Sequence, residues 1–160
     1  MLRTLLRGAA AGAIGTVAMD LVWYARYRNG GGESAFPAWE FSTDVGGWDS
    51  APAPAQVGRK LVRGATGRDL PPESAGAVNN VMHWVYGTSW AAQYALLPRR
   101  PWWSGPAFGA TVWSSGYVIL PLLDIYRPIW TYDVKTLWQD LSAHLVFGTV
   151  TDGALRALPA

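Results

Sequence analysis

His144-Leu-Val-Phe-Gly148-Thr149 lies in the last apolar stretch of the chain, and His83-Trp-Val-Tyr-Gly87-Thr88 repeats its pattern around the only other histidine. Leu97-Pro98 closes the first copy in the register in which Leu158-Pro159 closes the second. Both copies read as one kind of helix used twice. A second echo precedes them: Gly8-Ala-Ala-Ala-Gly12 and Gly105-Pro-Ala-Phe-Gly109 each open an apolar run. This order, occurring twice, predicts two tandem helical hairpins. The expected fold is all-α, a four-helix transmembrane bundle over about 4–26, 74–97, 103–123 and 133–158, in one integral membrane domain, 1–160.

The totals agree with that address only once they are mapped along the chain. Half of the 160 residues are hydrophobic and 15% are charged, against about a quarter in a typical soluble domain. Mean hydropathy is only +0.07. That average hides a segregated chain, because six of the eleven acids and six of the thirteen bases fall between Arg26 and Ser74. No charged residue occurs from Ala75 to Leu97 or from Ser104 to Leu123. At about 1.5 Å per residue the first of these runs can cross a hydrocarbon core of about 30 Å. There is no cysteine, so disulfides, thiolate metal sites and a cysteine nucleophile are excluded. A net charge of +2 without a basic, aromatic-interleaved run gives no footprint for nucleic acid.

A secretory leader also begins with bases before an apolar run, and Thr16 with Ala18 would suit a cleavage site. The counterpart of Gly8–Gly12 deep in the chain favours a helix of the fold instead. From about 27 to 73 the composition turns to Gly, Pro, Asp and Ser, which predicts a long outer loop. Phe36, Trp39, Phe41 and Trp48 mark it as ordered, since disordered segments are poor in aromatics. Within it, Pro54 to Ala65 forms an amphipathic pattern with Val57, Leu61 and Ala65 on one face and Arg59, Lys60 and Arg63 elsewhere. Such a helix suits the membrane surface or a connector packed on the bundle. Pro71-Pro72-Glu73 starts the second long helix, and Asp133 is the expected N-cap of the fourth.

Four spans put both termini and the Arg99-Arg100 turn on one side, together with Arg3, Arg7 and Arg156. By the positive-inside rule that side is cytoplasmic, so the expected location is the bacterial cytoplasmic membrane, multi-pass. Within the spans, Asp140, His144, Gly148 and Asp152 recur every fourth residue and share one helix face. Intramembrane ionisable groups are costly and face the bundle interior. The candidate polar intramembrane cluster is therefore Asp20, Asn79, Asn80, His83, Asp140 and His144, with Asn79 standing where the second copy has Asp140. Gly8, Gly12, Gly87, Gly105, Gly109 and Gly148 are the expected helix-packing residues.

The back half resembles the small bacterial inner-membrane proteins of the YagU-like family of unknown function. The residues that carry the resemblance are His83, Tyr94, the Pro-rich turn, Gly105, Gly109, Pro121 and His144-Leu-Val. It implies a multi-pass inner-membrane protein, with self-association among its options and no assigned reaction, and it lends no catalytic residue.

The expected role is non-enzymatic, structural or partner-binding, in contact with the lipid bilayer and with a second copy or another membrane protein as partner. Two alternatives use the polar cluster. One is a small transporter or proton-linked component, whose carboxylates and imidazoles would relay protons. The other takes His83 and His144 as the axial pair of a single haem, or joins His83 to Asp140 and His144 as metal ligands. No catalytic motif is present: there is no Gly-x-Ser-x-Gly elbow and no phosphate loop, and no cofactor or metal has a signature.

Overall fold

The computed structural model describes residues 1–41, 47–98 and 101–159. Among them the chain is all-helical: α1 (Leu2–Asn29), α2 (Phe36–Glu40), α3 (Ala53–Thr66), α4 (Ala75–Tyr94), α5 (Ser104–Leu122) and α6 (Val134–Ala157), with short 3-10 turns between some of them. The four long helices lie close to the expected spans, with α4 and α5 inside the charge-free runs. The Arg99-Arg100 turn lies outside the described residues.

Every sequential and lateral neighbour is antiparallel, which makes an up-down-up-down bundle. The N-terminal part of α1 packs at the C-terminal part of α4, with Gly8 against Ala91 and Ala92, while Asp20 further along meets His83. Arg7 donates to the Leu155 and Leu158 carbonyls at 3.2 and 2.8 Å, and so serves the open C-terminal end of α6. At the other end of α1, Arg26 donates to Gln139 O and Ser142 Oγ at 2.6 and 2.8 Å. α5 pairs with α6, and the ring closes between α4 and α5 through a Tyr94–Phe108 stack at 4.2 Å and a Tyr86–Ser115 hydroxyl bond of 2.9 Å. The helix that looks most like a leader thus sits between α4 and α6.

Glycine sets how closely these helices approach. A Cβ on Gly105 would lie 3.0 Å from both Gly148 O and Thr149 Cα; one on Gly12 would lie 3.0 Å from both Gly87 O and Thr88 Cα. By contact, then, Gly105 corresponds to Gly12, one turn away from the Gly8 that sequence spacing pairs with it. Between the helices the core is made of Ala11, Ala91, Ala143, Phe108, Val112 and Phe147. Bulk comes from the phenylalanines, and small residues elsewhere keep backbones close.

The outer loop folds onto this frame. Phe36 and Trp39 of α2 join Tyr24 and Tyr27 of α1 in one aromatic group, with centroids 5.3 to 6.1 Å apart in the contacting pairs. Trp48 is buried and donates to Leu70 O at 3.0 Å. α3 packs on α4 through Ala55 and Gly58, the latter against Val78 and Met82. Of the two placements open to an amphipathic helix here, it takes the one packed on the bundle, and Leu61 stays exposed. Small residues win the contact because they let α3 lie flat on the branched and thioether side chains of α4.

Candidate functional site

The ionisable residues of the expected cluster form two separate pairs. His83 Nε2 lies 2.8 Å from Asp20 Oδ1, an interhelical contact between residues 63 apart in sequence. His144 Nδ1 lies 2.9 Å from the Asp140 carbonyl and 3.3 Å from Asp140 Oδ1, one turn back on its own helix. Among the described residues no hydrogen bond or ion pair joins the two pairs. The six-residue cluster expected from sequence is therefore not one site. The reason is the position of α1: it packs against both α4 and α6 and keeps the two histidine-bearing helices diagonal.

The first pair is the more enclosed. Asp20 is 5% exposed, and its Oδ2 is buried with no hydrogen-bond partner among the described residues. Asn79, one turn before His83 on α4, likewise buries an Oδ1 without a partner, and Asn80 is half-buried beside it. Above the pair sits Glu40 of α2, whose Oε1 accepts from the Trp84 indole at 3.1 Å. Burial, and next the charge of Asp20, push the Glu40 carboxyl above its usual range, against the Trp84 donor and His83. Neither Glu40 nor Trp84 stands out in the sequence. Glu40 lies in the loop, and nothing in its spacing points to Asp20.

The second pair borders an aromatic group. Tyr117, Tyr126 and Tyr132 have centroids 5.4, 5.6 and 6.0 Å apart, and Arg127 lies over Tyr132 at 5.3 Å. Asp140 faces the Tyr117 and Tyr126 phenols. The three rings pack together between the end of α5 and the start of α6.

Each histidine expected as a haem or metal ligand has one ring nitrogen engaged. The Nε2 of His83 is engaged by Asp20, and His144 is turned back onto its own helix by Asp140. Among the described residues no three His, Asp or Glu side chains are grouped to hold a metal ion. The expected packing glycines all stand at interhelical contacts: Gly8 and Gly12 on α4, Gly87 on Thr16, and Gly105 and Gly109 on Gly148 and its neighbours. Gly15, which the motif spacing misses, meets Thr151 and Phe147 in the same way.

At the opposite end of the bundle Asp152 is buried and accepts from Tyr94 Oη at 2.9 Å and from Arg156 Nε at 2.8 Å. Arg156 also donates to Pro101 O, tying α6 to the start of the third long helix.

Comparison with family models, with curated proteins and with solved structures finds no match to this chain.

Proposed function

We propose that the chain is a four-span protein of the bacterial cytoplasmic membrane with cytoplasmic termini, serving a non-enzymatic, structural or partner-binding role. One observation carries this: large apolar side chains stand on the outside of the bundle as well as in its core. Gly8, Gly12, Gly15, Thr16, Asp20, Thr151 and Asp152 are buried beside Phe108, Phe147 and Leu155, while Ile14, Leu21, Val81, Val85, Val118, Ile119 and Leu122 stand exposed. Water would penalise so large an apolar surface, whereas lipid would not. Tryptophans flank it at both ends: Trp102 at 86% and Trp103 beside the termini, Trp130 at 82% and Trp138 at the loop end. Between them the 19 residues of α5 extend roughly 28 Å, close to the thickness of a hydrocarbon core.

By length and apolarity alone one described helix, α1, is able to cross a membrane. On such a scale α4 and α6 fall short because Asn, Gln, His and, in α6, charged residues lower them, and α5 because Gly, Ser, Trp and Tyr dilute it. Those residue types belong to helix contacts and to interfaces, which averaged hydropathy does not credit. The structural role is favoured by the polar groups themselves, which answer one another across helices, as Asp20 does His83 and Arg26 does Ser142. We include in the proposal a tandem origin of the two hairpins and a relationship to the YagU-like family, on the residues named above.

The test uses the natural absence of cysteine. Single cysteines at Arg3 and Thr66 are labelled with a membrane-impermeant maleimide. Thr66→Cys should react in intact spheroplasts, Arg3→Cys only after permeabilisation, and the protein should stay in the pellet through alkaline carbonate. Release by carbonate, or labelling of both sites from outside, would refute four spans with cytoplasmic termini.

A further inference from the structure

We propose that Glu40, Asp20 and His83 form a proton-binding centre at the loop end of the bundle, in which Glu40 takes up one proton from the adjacent water. The centre lies beyond the structural role argued above and is independent of it, since the same groups meet whether the bundle sits in lipid or in detergent.

Three separate elements bring one ionisable group each: Asp20 from α1, Glu40 from α2 and His83 from α4. His83 serves only one oxygen of Asp20, at 2.8 Å, and the other is buried without a donor among the described residues. The Asn79 oxygen one turn away is equally without one. A buried carboxylate oxygen left in this state, with a second carboxylate close by, carries more negative charge than its surroundings offset. Adding a proton to the more accessible of the two acids relieves the imbalance.

Glu40 is that acid, because it sits on the loop helix and is half-buried, whereas Asp20 lies behind it at 5% exposure. The charged groups that weigh on Glu40 are Asp20 and His83, and the Trp84 indole is its donor from α4. The first raises its affinity for a proton, and the last two lower it. The step is simple: a proton leaves bulk water, bonds to the Glu40 carboxylate to give the neutral acid, and returns by the same route. One turn deeper than Asp20, Thr16 is wholly buried, and Ala11, Ala91 and Phe147 fill the core beyond it. Uptake and release therefore occur on the loop side only.

Three glutamates are present in the whole chain, Glu33, Glu40 and Glu73, so carbon-13 labelling of glutamate carboxyls resolves the centre directly. The full chain in detergent is titrated by carbon-13 NMR, with Glu→Gln variants for assignment. The Glu40 carboxyl should titrate above the ordinary glutamate value of ~4.3. Asp20→Asn should move the Glu40 midpoint down and His83→Gln should move it up, in variants whose helicity and melting match the parent. Opposite shifts are a signature that a purely structural role would not produce. A Glu40 midpoint at or below the ordinary glutamate value, or shifts of the same sign in both variants, would overturn the proposal. So would a midpoint that moves when sodium replaces choline at constant ionic strength, since the occupant would then be a metal cation. Should either variant melt early, Trp84→Phe, which removes only the indole donor and keeps the labelled Glu40, must move the Glu40 midpoint up.

Discussion

At the scale of single residues, glycine decides how this molecule packs. A Cβ on Gly148 would come within 2.7 Å of Gly109 Cα, a backbone atom that cannot step aside. Gly148→Ala should therefore destabilise the bundle by about 1–3 kcal/mol, as overpacking does, read as an earlier thermal transition in detergent. Gly64 of α3 offers the contrast, with nothing within 4 Å of its would-be Cβ and a helical position. Gly64→Ala should raise stability by about 0.5–1 kcal/mol through the unfolded state and helix propensity. The motif glycines were legible because Gly-x-x-x-Gly puts two residues without side chains on one helix face. Gly15 was not, since the atoms it must avoid, on Thr151 and Phe147, belong to a helix more than a hundred residues away. Asp20 was legible as an interior acid from its place in an apolar run, but its partner had to be found in space.

At the scale of elements, α3 shows how a correct periodicity can point to the wrong face. Val57, Leu61 and Ala65 form the more apolar stripe, yet Ala55 and Gly58 make the contact with α4. Gly58→Leu should undock α3 by driving into Val78 and Met82, and trypsin should then cut faster at Arg59, Lys60 and Arg63 while the four long helices stay protected. The loop between α5 and α6 gives a second test. Burial first, then Asp140 and Tyr132, push Tyr126 up to about 12. In the unfolded chain the phenol ionises near ~10. The folded state therefore holds this proton longer, so its contribution to stability is complete below about pH 10 and is lost as pH rises towards about 12. Ultraviolet titration, with Tyr126→Phe for assignment, should show Tyr126 ionising late, and Asp140→Asn should bring it earlier. Unchanged ionisation in that variant would mean Asp140 does not act on the loop.

At the scale of the whole molecule, the distribution of residue types between inside and outside outweighs any single contact. Large apolar side chains stand exposed on all four long helices, while Thr16, Asp20, Thr151 and Asp152 are buried beside the rings of Phe108 and Phe147. Reversing one interior polar pair should cost more than changing an outward residue. Asp20→Leu leaves His83 without its partner and should lower the melting temperature in detergent, whereas Val118→Leu on the outer surface should leave it unchanged within error. Equal effects would argue that the exposed surface is covered by protein.

The sequence by itself determined the all-helical class, the place of the four long helices, several of the polar residues inside them and the glycines that bring them together. Those features follow from local patterns: charge-free runs, repeats of fixed spacing, and helix start signals such as Asp133, whose side chain does accept from the Thr136 amide. Tertiary structure alone decided which polar residues meet. Periodicity places His83 and His144 on comparable faces of comparable helices, and nothing local says that α1 will stand between them. Once it does, His83 finds Asp20 and Glu40, His144 turns back to Asp140, and one expected cluster becomes two sites at one end of the bundle. The physical reason is that helix faces are set by neighbours three and four residues apart, while the pairing of those faces depends on how closely whole helices can approach.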